Sequence, residues 1–130
     1  MKLVYSALFS PCEEGGYTVT VPALPGCVTE GDTLSEAIFM VQDAASAWVL
    51  DELEEGRMAP EDSKPGEIVP GKGEFVSLIA LDMDSYSEKY GRKAVRKNVT
   101  IPAWLNTYGE SRNLNFSQIL ADALQQRYPN

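Results

Sequence analysis

The stretch that decides the fold is VRKNVTIPAWLNTYGESRNLNFSQILADALQQRY, at residues 95–128. It opens with an alternating pattern in which three apolar residues share one strand face: Val95, Val99 and Ile101. Pro102 ends the strand and suits the first turn of a helix. A second helix is predicted after Asn115, which stands three residues before Gln118 as a helix cap does. The stretch therefore predicts one strand followed by two short helices.

This segment has more apolar surface than it can bury alone. The second predicted helix carries an apolar stripe formed by Phe116, Ile119, Leu120, Ala123 and Leu124. Domains shorter than about 40 residues usually need a metal, a disulfide or a partner chain to hold a core. The chain has no histidine, and both of its cysteines, Cys12 and Cys27, lie outside the segment. We therefore expect the segment to dimerise.

The order strand, proline, helix, cap, helix resembles the ribbon-helix-helix repressors of the Arc and MetJ type. In those proteins two chains pair their strands and lay the ribbon in the DNA major groove. The resemblance implies that Arg96, Asn98 and Thr100 read bases, and that the backbone amides of Phe116 and Ser117 hold a phosphate. Arginine and asparagine form bidentate pairs with guanine and adenine, and a helix N-terminus favours an anion. Thr100 departs from the family pattern, in which the base-contacting positions often carry charged or amide side chains. The alternative is an edge strand and helical hairpin packed on the rest of the chain.

The charge of the chain is divided between its two ends. Residues 1–88 hold four basic and 17 acidic side chains, a net charge of −13. Residues 89–130 hold seven basic and two acidic side chains, a net charge of +5. This division predicts two partners of opposite charge, with phosphates at the basic end and a basic protein at the acidic end. Ordinary surface solvation is the alternative interpretation.

The first half of the acidic part carries strand patterns followed by a helix pattern. Period-two alternation at residues 2–10 and 17–21 predicts a hairpin, and a short third strand is predicted at residues 27–29. Thr33 and Glu36 stand at the spacing of a capping box, so a helix is predicted from there to about residue 53.

The second half of the acidic part returns to a strand. Residues 56–74, rich in proline, glycine and charge, are predicted to be a loop. FVSLIAL at residues 75–81 is predicted to be a strand of the same sheet, buried on both faces because it is apolar throughout. Residues 82–94 predict a short helix or a linker.

GGYTVTVPALPGCVTEGDTLSEAI, at residues 15–38, resembles the HicB antitoxin family. The matching positions are Gly15, Gly16, Tyr17, Pro22, Leu24, Pro25, Gly26, Cys27, Gly31, Asp32, Thr33, Glu36 and Ala37. The resemblance covers nearly the whole chain, because many members carry a ribbon-helix-helix after this domain. It implies an α+β protein: a truncated ribonuclease H-like domain of three strands, a helix and a return strand at residues 1–88, then a dimeric ribbon-helix-helix at residues 89–130.

The resemblance also implies a function. The partner would be a HicA-like toxin, a small ribonuclease with a double-stranded-RNA-binding-like fold and a catalytic histidine, which the antitoxin masks. The chain would form a homodimer, with pairing into tetramers left open, and would repress its own operon by binding operator DNA. A stand-alone ribbon-helix-helix transcription factor with an effector-sensing N-terminal domain is the alternative.

An enzyme is the third interpretation, and the residue types argue against it. The absence of histidine removes serine–histidine, cysteine–histidine and histidine–metal chemistry. Ribonuclease H chemistry needs several carboxylates that converge on two metals, and no such set is apparent among Glu13, Glu14, Asp43, Asp51, Asp82 and Asp84. Cys27 lacks a histidine base. We expect no catalytic residue, metal or cofactor. No apolar run reaches the roughly 18 residues of a membrane span and no signal peptide opens the chain, so a cytoplasmic location is expected.

Overall fold

The computed structural model describes residues 1–91 and 93–128 of the 130-residue chain. Its contacts divide the chain into an N-terminal unit, Lys2–Arg92, and a C-terminal unit, Lys93–Asn130. The N-terminal unit is built on a four-stranded antiparallel sheet, and the chain as a whole is an α+β protein.

The sheet contains β1 (Lys2–Pro11), β2 (Tyr17–Thr20), β3 (Val28–Gly31) and β4 (Phe75–Asp82), in the order β3-β2-β1-β4. The alternation predicted for β1 is confirmed, because Tyr5, Ala7 and Phe9 are all fully or almost fully buried on one face. The Phe9 ring stacks on Phe75 of β4, with ring centroids 5.1 Å apart. This face of the sheet forms one side of the core.

Helix α1 (Leu34–Glu54) forms the other side of the core. Thr33 caps it as predicted, with its Oγ1 accepting a hydrogen bond from the Glu36 amide at 3.1 Å. Its buried residues lie on one stripe: Ala37, Val41, Ala45, Ser46, Val49 and Leu50. Although α1 is the longest helix, neither it nor any other helix in the described part of the chain is long and apolar enough to cross a membrane.

The prediction that β4 is buried on both faces is wrong. Ile79 and Leu81 are buried at 2% exposure, whereas Leu78, on the opposite face of the strand, is 56% exposed. The reason is that α1 covers only one face of the sheet, so the apolar residues of β4 on the other face remain open to solvent.

The predicted loop at residues 56–74, called the strap below, packs against the edge of β1. β1 pairs with β2 only from Leu8 onward, which leaves the first part of that edge without a strand partner. The strap fills this gap: the Ser6 amide donates to Asp62 Oδ1 at 2.7 Å, and the Tyr5 hydroxyl donates to the Pro60 carbonyl at 2.7 Å. A 3-10 turn, Pro65–Glu67, is the only regular helix within the strap.

Residues 82–94, predicted to be a helix or a linker, contain helix α2 (Met83–Tyr90). The Asp82 side chain caps it by accepting a hydrogen bond from the Ser85 amide at 3.3 Å. Met83 is 2% exposed and fixes the start of α2 on the N-terminal unit.

The C-terminal unit contains helices α3 (Ala103–Ser111) and α4 (Phe116–Arg127), so both predicted helices are confirmed. The predicted cap is confirmed too, because Asn115 Oδ1 accepts from the Gln118 amide at 3.0 Å. The strand predicted at residues 95–101 is not formed in the single chain, where the described residues 93–102 have no strand or helix pairing. The physical reason is that the predicted pairing partner is a second chain.

Candidate functional site

The C-terminal unit leaves its apolar side chains open to solvent. Among the described residues 93–128, the only buried residue is Gly109. The exposed apolar residues are Val95, Val99, Ile101, Trp104, Leu105, Tyr108, Leu114, Phe116, Ile119, Leu120 and Leu124. A stable monomer rarely exposes contiguous apolar surface of this extent, which marks the unit as an interaction module.

An open groove of about 940 Å³ runs between α4 and the segment before α3. Its apolar lining comes from Val95 and Val99 on one side and from Leu120 and Leu124 on the other. The groove therefore brings together four of the residues predicted to face a partner chain, whereas Ile101, Phe116, Ile119 and Ala123 do not line it.

The predicted DNA-contacting residues are partly brought together. Arg96 and Ser117 line this same groove, whereas Asn98, Thr100 and Phe116 do not. All five are exposed. In the single chain Arg96 therefore lies on the same surface as Val95 and Val99, although a strand would place it on the opposite face. Strand pairing is needed to separate the polar and apolar residues of this segment onto two faces.

The N-terminus of α4 carries the two backbone amides that were predicted to hold a phosphate, those of Phe116 and Ser117. Asn115 adopts φ −85° and ψ 100°, outside the helical region, and its side chain accepts a hydrogen bond from the Gln118 amide. The amides of Phe116 and Ser117 lie in the first turn, where backbone N–H groups have no acceptor inside the helix and form the positive end of its dipole. Asn113, at φ 54°, makes the reversal between the two helices.

Gly109 is a residue whose role sequence analysis missed. It stands inside α3, and a Cβ atom on it would lie 2.1 Å from Cε1 of Phe116 and 2.5 Å from Cζ. The absence of a side chain at Gly109 lets the Phe116 ring lie directly on α3, and this contact sets the position of the α4 N-terminus. The break that Gly109 makes in the apolar pattern of α3 is the signal in the sequence that could have indicated this contact.

The sequence motif at residues 15–38 builds the fold. Gly16 adopts φ 78°, which favours glycine, and a Cβ there would lie 2.5 Å from the Gly31 carbonyl oxygen. Cys27 is 5% exposed, and burial raises the pKa of its thiol, so it packs as a small apolar side chain. The Trp48 indole donates to the Pro25 carbonyl at 3.0 Å and ties the loop before β3 to α1.

The carboxylates of the N-terminal unit do not form a metal site among the described residues. Glu13, Glu14, Glu30 and Asp32 surround a shallow cavity of about 550 Å³ beside the first hairpin turn. Asp82 is engaged as the cap of α2, and hydrogen bonding from Ser85 lowers its pKa. The arrangement gives an acidic surface suited to binding cations or a basic protein.

Comparison with protein families accounts for both units. A family model described as HicB-like antitoxin of bacterial toxin–antitoxin systems matches residues 5–123. The chain belongs to the HicB-like antitoxin family. This confirms the resemblance carried by residues 15–38, and it makes the chain an antitoxin of a toxin–antitoxin system. A 14.9-kDa protein from the rep-hol intergenic region of Haemophilus phage HP1 is 37% identical over 90 residues, which cover 69% of this chain and 67% of the phage protein.

Solved structures from toxin–antitoxin systems share the overall fold. A toxin–antitoxin complex from Streptococcus pneumoniae matches 98% of this chain and 100% of its own, with TM-score 0.62 and 26% identity. The antitoxin HicB of Burkholderia pseudomallei matches 95% of each chain, with TM-score 0.57 and 26% identity. Both matches extend over the sheet and the C-terminal helices.

Proposed function

We propose that this HicB-like antitoxin binds and inhibits a HicA-like ribonuclease toxin through its N-terminal unit and represses its own operon by binding operator DNA through a dimer of its C-terminal unit. It performs both tasks by binding and without catalysis. The observation that carries the proposal is the apolar surface of the C-terminal unit, which a single chain leaves exposed.

Dimerisation follows from the cost of that exposure. Leu120 and Leu124 are 38% and 59% exposed, and Val95 and Val99 are 84% and 61% exposed. Burying an aliphatic side chain is worth about 1.5–3 kcal/mol, so a second chain seated in the groove gains several such contributions. Pairing of residues 95–101 between the two chains forms the ribbon and satisfies their backbone groups.

The ribbon gives the basic end of the chain a DNA-reading face. Once residues 95–101 pair between two chains, Arg96, Asn98 and Thr100 share the side opposite the apolar residues. Phe116 and Ser117 supply first-turn amides for a phosphate, which fixes the register of the ribbon in the groove. The net charge of +5 over residues 89–130 supports this assignment.

The acidic end supports the assignment of the toxin partner. Residues 1–88 carry a net charge of −13, which attracts the basic surface that an RNA-cleaving protein presents to its substrate. The structural match to a toxin–antitoxin complex supports a toxin partner as well. We also propose a truncated ribonuclease H-like fold for this unit, and the strand order β3-β2-β1-β4 with one covering helix supports it.

The test is a titration of the upstream promoter with the full chain at two salt concentrations, with a scrambled duplex as the reference. Asn98→Ala is expected to weaken specific binding by about 1–3 kcal/mol and to relax preference at one base position, because one bidentate pair is lost. Gln126→Ala, an exposed change at the far end of α4, is the matched control. If Arg96→Ala, Asn98→Ala and Thr100→Ala all bind as the wild type does, the DNA-binding part of the proposal is wrong.

The toxin part is tested separately by co-expression with the basic protein encoded beside the gene. The wild-type chain is expected to restore growth and to protect RNA from cleavage. Normal promoter binding without any protection would favour the stand-alone transcription factor instead.

A further inference from the structure

The outer face of α1 carries apolar anchors that the protein does not bury. Phe39 is 70% exposed and Met40 is 43% exposed. Phe39 stands two residues from both Ala37 and Val41, so it lies on the opposite side of the helix from the buried stripe. A phenylalanine in this position contributes little to folding, whereas burial against a partner is worth about 1.5–3 kcal/mol.

The charged side chains of α1 beside these anchors are all acidic. Glu36 precedes Met40 by one helical turn and Asp43 follows Phe39 by one turn, and both are exposed. Over its whole length, Leu34–Glu54, the helix contains no lysine or arginine. An aromatic and thioether anchor flanked by two carboxylates is complementary to a basic protein surface with an apolar hollow.

Helix α2 extends this face with two tyrosines. The rings of Tyr86 and Tyr90 lie with centroids 4.6 Å apart, and Tyr90 is 48% exposed. Helix α2 contacts α1, and burial and the charge of Asp43 raise the pKa of Tyr86. Tyrosine faces next to a carboxylate accept arginine side chains by stacking and by ion pairing.

We infer that this aromatic-acidic patch, formed by Glu36, Phe39, Met40, Asp43, Tyr86 and Tyr90, is the surface that docks the basic toxin. The inference rests on the proposed function and adds the site of contact. Phe39 is the central anchor, since it is the most exposed of the apolar residues in the patch. The carboxylates steer the partner and fix its orientation.

The open face of the sheet is the competing surface and supplies the control. It exposes Val4, Val28 and Leu78 at 52–56%. On this face Thr18 pairs with Glu30, and Lys2 pairs with Asp82, so the face carries charges of both signs, whereas α1 carries no basic residue. Charge complementarity therefore favours α1 and α2.

The experiment measures the affinity of the full chain for the toxin encoded beside its gene, with the toxin's catalytic histidine replaced by alanine. Phe39→Ala is expected to raise Kd at least ~30-fold, as the loss of a central anchor does. Asp43→Asn is expected to raise Kd roughly 3- to 10-fold and to make its salt dependence shallower. Leu78→Ala on the open sheet face, which is comparably exposed, is expected to stay within about twofold of the wild type.

Two outcomes overturn the inference in distinguishable ways. If the wild-type chain does not bind the toxin, the proposed function fails and the docking surface fails with it. If the wild type binds and Phe39→Ala binds equally well, or Leu78→Ala causes the larger loss, only the docking surface is wrong. Melting temperature and promoter binding of Phe39→Ala are measured alongside and are expected to match the wild type, because the side chain is mostly exposed.

Discussion

Replacing Gly109 with alanine tests how the C-terminal unit holds its two helices together. The new Cβ would lie 2.1 Å from Cε1 of Phe116, so the ring must move by about 1.5 Å to regain ordinary contact distance. Overpacking of this kind costs about 1–3 kcal/mol. Alanine also favours a helix interior over glycine by about 1 kcal/mol, which leaves a net destabilisation of roughly 0–2 kcal/mol.

The sign of the effect is expected to reverse when Phe116 is removed. In a Phe116→Ala background the clash is gone, so Gly109→Ala is expected to stabilise the chain by about 1 kcal/mol through helix propensity alone. The two substitutions therefore couple by about 1–3 kcal/mol. Urea unfolding of the four chains at one protomer concentration measures this coupling. Stabilisation by about 1 kcal/mol in both backgrounds would refute the close contact of Gly109 with the Phe116 ring.

Two predictions concern the strap. Asp62→Ala removes the acceptor of the Ser6 amide and is expected to destabilise the chain by about 1–3 kcal/mol in urea unfolding. Asp62→Asn keeps an oxygen at that place and is expected to cost less. Equal losses of stability in the two variants would contradict the role of this hydrogen bond. Hydrogen bonds from Ser10 and then from the Gly71 amide hold the pKa of Glu74 below its ordinary value of 4.5. A lowered folded-state pKa gives stability that is present above the unfolded-state pKa and lost as the pH falls through the folded-state value. The difference in unfolding free energy between wild type and Glu74→Gln is thus expected to shrink on acidification from about pH 6 to about pH 3, and a constant difference would contradict it.

Local signals in the sequence predicted the regular elements well. The cap at Thr33 and the cap at Asn115 each depend on residues three positions apart, so a short window contains the whole interaction. The alternation of β1 is equally local, since a single face of the sheet is buried. The family motif at residues 15–38 then gave the assignment that the family comparison confirms.

The features that sequence analysis missed depend on distant contacts. Leu78 has the composition of a buried strand residue, and its exposure follows from a sheet that is covered on one face only. Asp62 contacts Ser6, 56 positions away, and nothing in the loop composition marks it. The pattern of α3 alone does not reveal the role of Gly109, because the ring that needs the space belongs to the next helix.

The assignment of the predicted DNA readers depends on a partner chain. Alternation places Arg96, Asn98 and Thr100 on one face only if residues 95–101 are a strand, and a single chain forms no strand there. The roles of these residues in DNA binding stay predictions for that reason. Their test is inseparable from the oligomeric state.

The mass of the full chain in solution therefore tests the central claim most directly. Sedimentation equilibrium of the wild type is expected to give twice the chain mass of 14.3 kDa. Leu124→Glu puts a charge into the apolar groove, so this variant is expected to have the single-chain mass and to lose promoter binding. Gln125→Glu adds the same charge to α4 outside the groove lining and is expected to leave the dimer intact. A wild-type chain that sediments at 14.3 kDa while it still binds its promoter would contradict the account.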